Sequence, residues 1–326
     1  MRFPIAALAL ICLPASLSAQ SLLVANQKVA TVTVLDPATN QISATIAEKT
    51  GEVWGHEIVA SPDGKTAYLP IYGSTGVGVP GIDGQEILVL DLPSRAIRKH
   101  IRLDHGVRPH SIQYDANSGL YYVTTEVDQT VSILDPKADS IVGSIPTGAP
   151  QSHMLALSHD GRFGYTANVG PGSVSILDLK ARKLVTVLPL APMLQRISIS
   201  NDDKFVFTSN YQQPELIVLD TATRQVARRI PLPTLGYGSS PTPDGKLLLI
   251  AIPRANQVAV IDIASLTVVR TIPVANAPQE VLIRPDGKSA YVSSPQTGKV
   301  TVIDTATWQT TSIASGAYSD GLAWAK

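Results

Sequence analysis

Three histidines, His56, His110 and His153, stand 54 and 43 residues apart, and Gln195, Tyr237, Gln279 and Asp320 continue the series at steps of 42, 42, 42 and 41. A repeat of that length, wound around an axis, would bring seven polar side chains into one ring. Neutral imidazoles from neighbouring units can converge on a single ion, so His56, His110 and His153, with Asp320 completing the shell, form a candidate metal site. Zinc, copper or iron would suit these ligands, and carboxylate help would admit magnesium or calcium. The plainer alternative is a set of channel-lining residues that hold ordered water. His110 and the nearby Arg108 are also candidate catalytic residues, one as a proton acceptor and the other as a partner for a substrate carboxylate. Trp54, Glu57, Tyr72, His105 and Arg108, with Gln195, Tyr237 and Gln279, are the candidate ligand-binding residues.

The elements that must position them are strands. Seven aspartates, Asp36, Asp91, Asp135, Asp178, Asp220, Asp262 and Asp304, each close a β-branched apolar run of the type TVTVLD or KVTVID. Their spacing settles at 42 to 44 residues after one step of 55. Short alternating strands at this period are the signature of a β-propeller, in which no unit buries its apolar face alone. Each unit reads as four strands. Hairpins at Pro62-Asp63-Gly64-Lys65, His159-Asp160-Gly161-Arg162, Pro243-Asp244-Gly245-Lys246 and Pro285-Asp286-Gly287-Lys288 join the first strand to the second. Six complete units follow one another. Residues 21–46 supply three strands without a first, and the C-terminal SDGLAWAK supplies a first strand alone. Joining the two ends predicts an all-β, seven-bladed propeller of four-stranded antiparallel blades, one domain over residues 20–326.

The wording of the repeat carries a resemblance. Tyr122-Val123-Thr124-Thr125, Tyr165-Thr166-Ala167-Asn168, Phe207-Thr208-Ser209-Asn210 and Tyr291-Val292-Ser293-Ser294, each after its hairpin turn, resemble the tyrosine-valine-threonine-asparagine motif of the YVTN propeller family. The pattern covers the whole chain after residue 19. The resemblance implies the seven-bladed fold and leaves function open, because similar propellers include exported binding proteins, surface-layer proteins, lactonases and the propeller domains of haem and copper enzymes.

In an antiparallel four-stranded blade the start of the inner strand shares one face of the disc with the loops between second and third strands. The seven aspartates and the hairpin turns then occupy the opposite face, where turn formation accounts for them. His105 joins the ring face, whereas His100 and His159 fall on an outer strand and an opposite-face turn. One irregularity also projects from the ring face: Tyr72 to Gly84, a glycine-rich insertion between the second and third strands of the first full unit. Such loops on rigid scaffolds are often lids or binding loops, and a plain surface insertion is the equal alternative.

Several functions are excluded by what the chain lacks. Lys and Arg number 26 against 26 Asp and Glu, so no basic surface for nucleic acid is available. No stretch after the N-terminus has the length of a membrane span. Residues 1–19 read as a signal peptide, with Arg2, an apolar core and small residues before Gln20, which predicts a periplasmic or secreted protein. Cys12, the one cysteine, lies inside that segment. Gly76-x-Gly78-x-x-Gly81 precedes a strand, not a helix, so it is no dinucleotide fingerprint. No Gly-x-Ser-x-Gly or Cys-x-x-Cys-His motif occurs. The expected function is therefore recognition of a small molecule or a protein partner by a monomer through the histidine-bearing face. A metal- or histidine-dependent lactonase or lyase is the alternative, and an accessory role in a periplasmic quinone, haem or copper system is a third.

Overall fold

Strands form here because β-branched and aromatic residues run between turn-forming Asp and Gly at every hairpin. The computed structural model describes residues 20–326; the signal-peptide expectation lies outside them. Seven four-stranded antiparallel units surround a central channel. Blade two is representative, with strands Pro109–Asp115, Leu120–Thr125, Thr130–Asp135 and Ser140–Pro146 hydrogen-bonded in that order. The ring closes as the repeat predicts: Ser319–Ala325 pairs antiparallel with Ser21–Asn26 and becomes the inner strand of blade seven. No helix among the described residues is long and apolar enough to cross a membrane.

Burial explains why the middle strands read as continuous apolar runs. Leu247–Ile252 and Gln257–Asp262 of blade five are buried on both faces, because blades pack against them from either side. Phe207, Leu216 and Val218 of blade four meet Leu248, Ile250 and Ala259 of blade five in one such seam. The outer strands face solvent, and Gln225–Pro231 buries only Ile230.

The aspartates do turn chemistry. Asp36, Asp91, Asp135, Asp178, Asp220, Asp262 and Asp304 each accept a backbone N–H two or three residues on. In the hairpins Asp63, Asp160, Asp244 and Asp286 do the same for the N–H of Lys65, Arg162, Lys246 and Lys288. The residue between is glycine because it takes a left-handed conformation, φ +70° at Gly245.

At the other end of the inner strands the pairing is irregular. Bulges fall at residues 110–111, 153, 195–196 and 320–321. In blade one the inner strand splits into Trp54–Gly55 and Val59–Ala60, leaving 56–58 outside the ladder. Blades five and six begin pairing only at Ser239 and Val281. A bulge re-aims side chains at a barrel or sheet rim. Here it lets two successive residues of one strand serve the channel.

Candidate ligand chamber at the channel mouth

All seven ring residues, His56, His110, His153, Gln195, Tyr237, Gln279 and Asp320, line one chamber of about 290 Å³. Gly76 and Val77 from the insertion reach it, and so does Gln27. The chamber is therefore built from every blade and roofed in part by the loop at 74–82.

Its histidines are held in different ways. Nδ1 of His153 lies 3.0 Å from Oε2 of Glu126, and the Tyr72 hydroxyl donates to the same oxygen at 2.8 Å. A proton on Nδ1 satisfies that carboxylate. His110 stacks on His153 with ring centroids 3.7 Å apart, and Tyr72 packs edge-on against His110 at 4.9 Å. Nδ1 of His56 faces Oδ2 of Asp320 at 3.8 Å. Burial, reinforced by the His153 and Arg196 charges, pushes His56 down to about 3. His110 is held well below the usual imidazole range, first by burial and then by the neighbouring His153 and His56. Both rings are thus neutral at physiological pH. Three buried atoms in this wall have no hydrogen-bond partner: Nε2 of His56, Nδ1 of His110 and Oε1 of Gln195.

One layer below lies a group in which Glu57 and Asp320 were expected from the sequence but Arg196 and Glu280 were not. Arg196, directly after Gln195 and almost fully buried, extends from blade four across the channel. It donates to Oε1 of Glu57 at 2.6 Å and to Oδ1 of Asp320 at 3.4 Å, and Oε2 of Glu280 stands 3.9 Å away. Gln27 donates to the other Asp320 oxygen. Glu57, Glu280 and Asp320 are all raised, chiefly by burial, with the mutual repulsion of like charges adding to the effect at Glu57 and Glu280. Arg196 and Tyr237 are in cation–π contact at 5.1 Å, and burial raises the Tyr237 hydroxyl to about 12. Arg196 lines both this chamber and a longer cavity of about 460 Å³ toward the turn face, where Leu155, Ile197, Ile199 and Ile283 supply apolar walls. The arginine and its three carboxylates are the partition between the two. The signal was available: a charged residue beside a ring position in the strand LQRISI, and Glu in the same place after His56 and Gln279.

The other expected site residues lie elsewhere. Glu57 belongs to the partition and not to the chamber wall. Arg108 turns into the insertion, where it bonds Asp83, Oγ1 of Thr75 at 3.1 Å and the Val79 carbonyl at 2.9 Å. It clasps the loop and does not line the chamber. His105 is exposed and paired with Asp128 at 2.9 Å. Trp54 is half-buried opposite Gly73, outside the chamber. Tyr72 is fully buried behind the histidines. The expected metal set of His56, His110, His153 and Asp320 shares the chamber without converging: two of the imidazoles stack face to face, and among the described residues no group of three or more His, Cys, Asp or Glu is arranged to hold an ion.

Comparison with known proteins agrees on architecture. Residues 115–244 match the model of the cytochrome D1 heme domain, a stretch that carries His153, Gln195 and Tyr237 but neither His56 nor His110. A solved chain of Kuenenia stuttgartiensis hydrazine synthase superposes with a TM-score of 0.77 over 88% of this chain and 92% of that one, at 21% identity. No curated protein matches. At that identity the likeness is one of fold, and it places the chain among seven-bladed propellers.

Proposed function

We propose that this chain is an exported recognition propeller that binds a small polar molecule in the histidine chamber, beneath the 74–82 insertion. The observation that carries this reading is the trio of unpartnered atoms, His56 Nε2, His110 Nδ1 and Gln195 Oε1, gathered from three blades into one wall. Buried polar atoms are nearly always paired, so three together define a place for a hydrogen-bonding guest. The volume lies near the low end of small-molecule pockets, which run from roughly 300 to 1,000 Å³. The test is a thermal-shift panel of short amines, alcohols, carboxylates, inorganic anions, zinc chloride and haemin on the wild type and on His110→Phe. The phenyl ring keeps the stack and removes the nitrogen. At least one small polar compound is expected to raise the midpoint of the wild type only. A panel that moves neither protein, or both equally, would overturn the reading.

The cytochrome D1 heme match supports a second reading, an accessory of a haem-linked redox system. The chamber as formed does not fit a porphyrin. It is too small for the macrocycle, the insertion roofs it, and the imidazoles best placed to reach iron are stacked on one another. An accessory role would therefore run through contact with a haem protein. Co-elution with a haem-bearing partner encoded in the same organism would support it, and separate elution would count against it.

A further inference from the structure

The chamber's charge and hydrogen-bonding balance also specify what it would hold, on the reading that the chamber is a binding site. We infer that its ligand is a small hydrogen-bond donor, neutral or singly cationic, of the ammonium or short primary amine class, and that anions are rejected.

The positive group of the chamber lining is already committed. Arg196 is the one Lys or Arg in the chamber lining, and it faces Glu57, Asp320 and Glu280. Arg108, the nearest other guanidinium the sequence offered, points into the insertion. The one cation of the lining is taken up by carboxylates, and Lys28, whose charge reaches His56, stands over the Tyr318 ring. An anion in the chamber would lie beside the Asp320 carboxylate with no lining cation left to it. It would be desolvated without compensation.

At least two of the three unmet atoms are acceptors. Oε1 of Gln195 can only accept. Nδ1 of His56 lies 3.8 Å from the Asp320 carboxylate, which favours the ring proton on that side and the lone pair on Nε2. His110 and His56 are both kept neutral by burial, so neither ring brings a second N–H. A guest with two or three N–H donors would satisfy Gln195 and the imidazoles at once, with Asp320 across the chamber to balance a positive charge. The chamber's volume of about 290 Å³ admits a small molecule of this kind.

Isothermal titration with methylammonium chloride, sodium acetate and sodium phosphate tests this directly, using the wild type, Gln195→Leu, His110→Phe and the outlying control His105→Ala. Methylammonium should give a saturable heat in the wild type and the control. Its affinity should fall about tenfold or more in Gln195→Leu, as expected for losing a hydrogen bond to a charged donor, and also in His110→Phe. Circular dichroism melts identify any variant that fails to fold, and the second variant then carries the comparison. Acetate or phosphate binding that both substitutions abolish, with methylammonium silent, would overturn the ligand class while leaving the chamber as a site. No heat from any probe, together with an empty thermal-shift panel, would remove both.

Discussion

The two faces of the disc use the same repeat in opposite ways. On the turn face, equivalent positions hold the same residue, each aspartate bonds within its own turn, and the side chains are exposed. On the mouth face, equivalent positions hold His, Gln, Tyr and Asp, the side chains are buried or half-buried, and most of their partners belong to other blades. Repetition marks what every blade needs in order to turn. Departure from the repeat marks what only the assembled ring can use. The bulges at 110–111, 153, 195–196 and 320–321 make the difference possible, because they release the inner strands from strict alternation on that face alone.

The contrast should be sharpest at Arg196. Arg196→Met strands three carboxylates in the channel, and removing one partner of a buried ion pair costs about 3–5 kcal/mol. Urea denaturation at pH 8 should show that loss. At pH 5.5 the loss should be clearly smaller, because Glu57, Glu280 and Asp320 then take up protons more readily. An equal loss at both values would mean that the partition is held by packing.

Glu48, also on the mouth face, should impose a pH slope on the wild type. It is buried, its Oε2 accepts the N–H of Gly55 at 3.1 Å, and burial raises it from 4.5 to about 8. Between those values the folded protein keeps a proton that the unfolded chain has released. Stability therefore falls as pH rises from about 4.5 to about 8 and levels off above, by a few kcal/mol. Glu48→Gln should flatten that slope in denaturation curves taken across the range.

Gly321→Ala should cost less, about 1–3 kcal/mol as overpacking does. A Cβ there would lie 2.3 Å from the His56 carbonyl, which accepts the Gly321 N–H at 2.9 Å. Its displacement of His56 should also weaken ligand binding, which calorimetry would detect. Asp262→Asn on the turn face should have the smallest effect of the series on the melting midpoint and none on binding. A binding defect there would erase the distinction between the faces.

The propeller could be read from the chain because the Asp-closed strands and Asp-Gly hairpins are local signals repeated many times, down to the closing pair of Ser21–Asn26 with Ser319–Ala325. The ring positions followed from register, since equivalent places in a closed repeat must face the same axis. Arg196 and Glu280 of the second layer did not follow. Period-2 alternation would turn them away from the ring; the bulge at 195–196 turns Arg196 toward the channel, and Glu280 stands just before Val281, where pairing of its strand begins. Arg108 escaped for a related reason: its partners lie in an insertion that has no counterpart in the other blades.

The most direct test of the histidine chamber uses the six histidines together. His56, His110 and His153 line it, while His100, His105 and His159 lie outside and serve as internal controls. Long-range ¹H–¹⁵N spectra of histidine-labelled protein, titrated with methylammonium, should show saturable shifts of the first three and constant positions for the others. Shifts confined to the outer three, or shared equally by all six, would contradict the account.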